Sequence, residues 1–457
     1  MKKAIFSFGL VLSLIGCENK ADIDYTIFTG KIDNIDGKEV TLTKADKSFS
    51  KKITIEPSGT FADTIKTSSG LYLLNIGKNT TSVYLDNGSS INITADAENL
   101  NKSLDVSGNG YETTNYIILK NKKEAELKTA DRAVYKLEEV DFKNKFKEIK
   151  SELRAKLDAT EDIPSSFKTL EKRNLNYEYL NELERYAYGY HRQWAGKRGY
   201  KPSEEFLSDL NGLDLDSDED YYFSSAYKEI VKRYYTKKIN DLDDSVEYGL
   251  KAITIYSTIP NQTIKNDLIF SKAEYDLYQT VDFQEFYRIF ISASTNEENN
   301  TVITKIYNDL MRVNKGQPSP KFINYEKHSG GTLSLDDLKG KYIFIDVWAT
   351  WCGPCIKELP YLQRIEKAYH GKNIIFLSIS IDDAKDHDKW RDMVEEKKLG
   401  GIQILADKSF NSQFVLDYNI KSIPRFILID PNGKIISPNT AKPSDPELIT
   451  LFNELNI

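Results

Sequence analysis

The pentapeptide Trp351-Cys352-Gly353-Pro354-Cys355 carries the reactive groups of this chain. Two thiols three positions apart can close on one another, and either can attack a disulfide sulfur once it is ionised. The pair stands where a nearly continuous apolar run, Tyr342 to Trp348, hands over to a segment of helical spacing that begins at Pro354. A cysteine in the first turn of a helix faces unsatisfied backbone N–H groups and the positive end of the helix dipole, so its thiolate is favoured. A free thiol has a pKa of about 8.5. A fall to about 7 raises the thiolate fraction at neutral pH from ~3% to about half, which corresponds to roughly 2 kcal/mol. Cys355, about one turn further on, is expected to be more buried and to act only after Cys352 has entered a mixed disulfide.

Other uses of two cysteines fit the sequence less well. Zinc asks for four ligands, yet there is no second cysteine pair, and His191, His328, His370 and His387 show no ligand spacing with this one. A purely structural disulfide over so short a loop contributes only about 2 kcal/mol in the chain-entropy model. A peroxidase would need one cysteine poised in an anion-binding turn, whereas here both share a helical turn behind a tryptophan. The expectation is therefore a dithiol site with no metal and no cofactor.

The elements around the pair alternate. Tyr342–Trp348 reads as a buried strand, Pro354 to about Ala368 as a helix, Ile374–Ile379 as a strand and Lys385 to about Lys397 as a helix. Arg425–Ile429 and Lys434–Ile436 flank Asp430-Pro431-Asn432-Gly433, a hairpin signal, and a last helix should run from about Pro446 to Leu455. Strands alternating with helices imply an α/β sheet covered on both faces over 321–457. Before it, residues 314–320, with Pro318-Ser319-Pro320, read as a linker.

Residues 24–110 carry short alternating runs, among them Val40–Thr43, Leu71–Leu74 and Ser82–Leu85, punctuated by Asp36-Gly37, Pro57-Ser58-Gly59 and Asn87-Gly88. They predict a small antiparallel β-sandwich. Residues 111–313 read as an α-helical region whose apolar stripe includes Val134, Leu137, Val140, Phe142 and Phe146. Tyr186, Tyr188 and Tyr190, and Tyr221 and Tyr222, are read as packing residues rather than a ligand platform, since nothing reactive clusters with them.

At the amino terminus, Lys2 and Lys3 precede an apolar stretch from Ala4 to Gly16, the layout of a secretory signal over 1–16. Those residues reach only about 20 Å as a helix, too short for a bilayer core of about 30 Å. Leu14-Ile15-Gly16-Cys17 resembles the lipobox of bacterial lipoproteins, which would leave Cys17 carrying lipid and 17–23 as a tether to the bilayer. The expected location is the cell envelope, lipid-anchored and facing the periplasm or the outside.

The chain has 457 residues, 40% of them hydrophobic and 12% aromatic, too apolar for a disordered protein and long enough for several domains. Lys and Arg number 62 against 69 Asp and Glu, with the signs interspersed, so nothing suggests nucleic-acid binding.

Residues 318–457 resemble the thioredoxin superfamily, and within it the TlpA/ResA-like extracytoplasmic thiol-disulfide oxidoreductases. The resemblance is carried by Trp351 to Cys355, Phe344-Ile345-Asp346-Val347-Trp348, Lys357-Glu358-Leu359-Pro360, Ile423-Pro424-Arg425-Phe426 and the approach from Gly331 to Lys341. The stretch from Cys355 to Pro424 is also longer than in thioredoxin, as in that branch. Residues 1–110 look like the lipidated β-rich front end often attached to such domains.

The resemblance implies that Cys352 is the nucleophile and Cys355 the resolving thiol. It implies that Pro424 is a cis-proline whose loop, with Ile423, faces the cysteines and pairs with substrate backbone. Trp351, Gly353 and Pro354 complete the substrate side. Asp346 takes the place of a buried aspartate that moves a proton for Cys355, although the lysine that accompanies it in thioredoxin falls near Ser378. Glu358 takes the place of a glutamate with an active-site role.

The function expected is reduction or isomerisation of protein disulfides, with a membrane thiol carrier as electron donor. The alternative is a client-binding envelope lipoprotein whose thioredoxin-like domain only regulates binding.

Overall fold

The computed structural model describes residues 23–37, 39–44, 48–66, 68–127, 132–243 and 245–457. Cys17 and the signal segment lie outside the described residues. The protein is multidomain, with β-sheets first, helices in the middle and a thioredoxin-like α/β domain last. It divides into two compact units, up to Val231 and from Lys232, so the helical residues are shared between them.

In the first unit, strands β1 (Tyr25–Asp33), β2 (Val40–Lys44), β3 (Ser50–Lys52), β4 (Thr60–Lys66), β5 (Gly70–Ile76), β6 (Asn79–Leu85), β7 (Ser90–Asp96) and β8 (Asp105–Asn109) form two four-stranded sheets. Their orders are β4-β1-β7-β8 and β3-β2-β5-β6. Period-two alternation puts Phe28, Ile32, Ile91 and Ile93 of one sheet and Leu42, Tyr72, Leu74 and Val83 of the other into a shared core. The sandwich is not wholly antiparallel as expected, because β1 and β7 run parallel.

The predicted helical stripe is shifted. Ala133–Lys136 is a single 3-10 turn, the α-helix begins at Glu139, and Val140 is 69% exposed. The buried stripe is Phe142, Phe146, Ile149, Leu153 and Leu157, whose three- and four-residue spacing keeps one face inward. Tyr186 and Tyr221 are core residues, while Tyr188, Tyr190 and Tyr222 are exposed.

The second unit holds the helices Tyr248–Ser257, Gln262–Asp276, Phe283–Ala293 and Glu297–Met311, followed by a seven-stranded sheet. Its strands are β9 (Tyr325–Lys327), β10 (Thr332–Leu333), β11 (Tyr342–Trp348), β12 (Ile374–Ser380), β13 (Ile402–Leu405), β14 (Arg425–Ile429) and β15 (Ile435–Ser437), in the order β10-β9-β13-β12-β11-β14-β15. The three central strands, β11 to β13, are parallel and the outer ones antiparallel. Both faces of β11 are covered, which is why six of its seven residues are buried and the strand reads as an apolar run. Residues 314–320 lie along the hairpin, where Gly316 N–H donates to Ile435 O at 2.7 Å and Ser319 N–H to Gly433 O at 2.9 Å.

Candidate active site

Strand β11 delivers its chain end to the site. After Trp348 the backbone turns, with Cys352 N–H donating to Ala349 O at 3.1 Å, and Cys352 becomes the N-cap of the helix Gly353–Ala368. Pro354 lies in the first helical turn, where a missing N–H costs nothing. Cys352 Sγ accepts from the Cys355 N–H at 3.2 Å, so the first sulfur already occupies the place where helix N–H groups favour negative charge.

The two sulfurs form a disulfide with Cα atoms 5.2 Å apart. Cys352 is 4% exposed and Cys355 2%. Cys355 is the more buried as expected, but in this oxidised form both cysteines are covered and the surface belongs to Trp351, Gly353 and Pro354. Trp351 is 50% exposed, its ring 6.3 Å from that of Phe410.

The Ile423–Pro424 peptide is cis. It leads directly into β14, whose first residue, Arg425, is the register partner of Val347. The sheet therefore brings the proline turn to the end of β11 from which the cysteine turn departs.

Asp346 lies on β11 between Ser378 of β12 and Phe426 of β14. It is 3% exposed, and its Oδ1 has no hydrogen-bond partner. Burial, reinforced by the negative charges of Glu366 and Glu358, pushes its pKa up to about 8. Glu366, further along the helix, is pushed up to about 7 by burial. Its carboxylate packs on the backbone of Gly400 and Gly401, and a Cβ at Gly401 would come within 2.7 Å of Phe376 O.

Glu358 is tied down at both oxygens, accepting from Ser444 N–H at 2.8 Å and from Ser444 Oγ at 2.9 Å. Asp382, just past β12 and 2% exposed, holds the turn before the cysteines. Its carboxylate accepts from Thr350 N–H at 3.0 and 3.2 Å, from Thr350 Oγ1 at 2.7 Å and from Ser380 Oγ at 2.7 Å. Among the described residues no group of three or more His, Cys, Asp or Glu is arranged to hold a metal.

A profile of the AhpC/TSA family matches residues 316–437. Thiol-disulfide oxidoreductase ResA of Bacillus subtilis is 26% identical over 136 residues, 30% of this chain and 73% of that protein. The thioredoxin-like protein YneN of Bacillus subtilis is 31% identical over 124 residues, 27% of this chain and 69% of its own length. The chain belongs to the thioredoxin-like family. A solution structure from Bacteroides vulgatus, described there as a candidate thiol-disulfide oxidoreductase, is 51% identical over 31% of this chain and 90% of its own, at a TM-score of 0.28.

The thioredoxin-like domain of this protein is of thiol-disulfide oxidoreductase type. Its sheet gathers Cys352, Cys355, Asp346, Trp351, Gly353, Pro354, Ile423 and Pro424 around one end of β11 and β14. Glu358 lies on the same helix, turned to Ser444. Sequence reasoning missed Asp382 and Glu366. The only signal for Asp382 was a polar Ser380-Ile381-Asp382 directly after a buried strand. Glu366 looked like any charged helix residue.

Proposed function

We propose that this thioredoxin-like protein is a lipid-anchored oxidoreductase of the cell envelope that reduces or isomerises protein disulfides through a mixed-disulfide intermediate. The observation that carries the reading is the placement of Cys352 at the helix N-cap with Cys355 one turn behind it, beside a cis-proline turn.

In the reduced protein the Cys352 thiolate attacks one client sulfur. The client S–S bond breaks, its second sulfur leaves as a thiolate and takes a proton, and a Cys352–client disulfide forms. Cys355 then loses its proton and attacks Cys352 Sγ, releasing the second client thiol and closing the Cys352–Cys355 bond. The client gains two electrons and two protons: both electrons and the Cys355 proton come from the protein, and the second proton comes from solvent, where Cys352 left its own on ionising. A membrane thiol carrier restores the dithiol by the reverse exchange.

Asp346 is suited to both directions. Near neutral pH the protonated form dominates and supplies a proton as Cys355 leaves, while the ionised fraction takes one as Cys355 attacks. Trp351, Gly353, Pro354 and Ile423 offer the client an accessible, partly apolar surface around the sulfurs. Lipid on Cys17 would hold the chain at the bilayer surface.

Catalysis of insulin reduction by dithiothreitol tests the reading. The purified chain accelerates precipitation of the insulin B chain, and Cys352→Ser returns it to background. Equal rates for the two proteins would overturn the assignment. Incorporation of labelled palmitate that depends on Cys17 tests the anchor.

A further inference from the structure

Arg425 follows the cis-proline, and the family resemblance gives it no role. The residue is 6% exposed, and burial lowers its guanidinium pKa to about 10. A buried cation is normally retained with an anion beside it, because leaving water costs several kcal/mol per ion. Among the described residues no carboxylate stands within ion-pair distance of Arg425. Instead Nη2 donates to the backbone carbonyl of Tyr278 at 3.0 Å and Nη1 to that of Pro438 at 3.4 Å.

Tyr278 belongs to the helical segment of the same compact unit, in the turn after the helix Gln262–Asp276. That turn is fixed at both ends. Gln279 and Thr280 N–H both donate to Asp276 O at 2.9 Å, and Val281 N–H donates to Glu247 Oε2 at 3.1 Å. Two further contacts reach it from the thioredoxin-like domain: Asn439 Nδ2 donates to Gln279 O at 3.2 Å, and Lys421 Nζ stands 5.8 Å from the Tyr278 ring centre. Residues 421 and 425 bracket the Ile423–Pro424 turn, so both sides of that turn are referred to one rigid carbonyl-bearing loop.

We propose that Arg425 is a positioning residue through which the helical segment 248–311 fixes the Ile423–Pro424 turn for docking of a client polypeptide. The inference rests on the oxidoreductase reading above. A polypeptide must match the backbone of this turn while its sulfur reaches Cys352, whereas a small disulfide needs only the sulfur. Displacing the turn therefore penalises the polypeptide selectively. An apolar residue would fill the same space without the cost of desolvating a cation, so packing alone does not account for an arginine here.

The test compares insulin with cystamine as substrates of the full chain, for the wild type, Arg425→Met and Arg425→Lys. Methionine keeps much of the stem and loses every donor, and lysine keeps one donor group in place of the fork. The ratio of kcat/KM for insulin to that for cystamine falls about tenfold in Arg425→Met, carried by KM for insulin, and about threefold in Arg425→Lys. A ratio within error of the wild type in Arg425→Lys overturns the proposal. So does a loss shared equally by both substrates, which is what mere destabilisation produces. Should Arg425→Met fail to fold, the lysine variant alone decides. A wild-type chain that reduces neither substrate refutes the oxidoreductase reading itself, a different outcome from either of these.

Discussion

Replacing Asp346 with asparagine changes how stability responds to pH, and the size of the change follows from the carboxyl's surroundings. Its pKa stands at about 8 in the folded chain against 3.8 when unperturbed. Below about pH 4 the folded and unfolded chains both hold the proton, and the group contributes no pH dependence. From there to about pH 8 the folded chain keeps a proton that the unfolded chain has released. The unfolding free energy therefore falls by about 1.4 kcal/mol for each unit of rising pH, and above about pH 8 the loss is complete. Between pH 5 and pH 7 the group removes about 2.7 kcal/mol. Asparagine does not ionise, so the stability of Asp346→Asn relative to the wild type rises by that amount over the same interval, whatever offset the amide introduces.

Urea unfolding of both oxidised proteins at pH 5, 6 and 7 measures this difference. Tryptophan fluorescence is a suitable probe, since Trp348, Trp351 and Trp390, three of the four tryptophans, lie in this domain. Glu366 titrates in both proteins, so its own contribution largely cancels. A difference that is constant across the three pH values would refute the claim that the folded chain buries a protonated Asp346.

Three further outcomes are expected. In the reduced protein the rate of Cys352 alkylation by iodoacetamide rises with a midpoint below the ordinary thiol value of about 8.5; a midpoint at that value would remove the helix-terminus argument. Glu358→Ala frees Ser444 and costs about 1 kcal/mol in urea unfolding, and it also lowers the Asp346 midpoint because one of the charges opposing ionisation is gone. An unchanged midpoint would separate Glu358 from Asp346. Asp382→Ala leaves Thr350 N–H and two buried hydroxyls without their acceptor and costs about 3 kcal/mol; a loss below about 1 kcal/mol would show that the cysteine turn does not depend on it.

Much of the thioredoxin-like domain was legible because its signals are local. Tyr342–Trp348 is apolar throughout as a strand covered on both faces must be, and Asp430-Pro431-Asn432-Gly433 closes the hairpin it signals. Strands β9, β10 and β13 were missed, being two to four residues long and so too short to show a period. Val134–Phe146 misled for a related reason. Its apolar residues fit one helical stripe, yet the chain turns at Leu137, where ψ is 153°, and leaves Val140 outside. At the site, the cysteines and Pro424 could be read from a compact motif. Asp382, Arg425 and Ser444 acquire meaning only through contacts that the fold creates across 32 to 147 residues of sequence.

The exchange of Cys352 with a client disulfide can be tested by removing the thiol that would end it. Reduced Cys355→Ala is mixed with insulin, quenched with acid and mapped by mass spectrometry without reductant. The account predicts a covalent adduct bonded at Cys352 that dithiothreitol dissolves. Absence of an adduct, or one attached elsewhere on the chain, would contradict it.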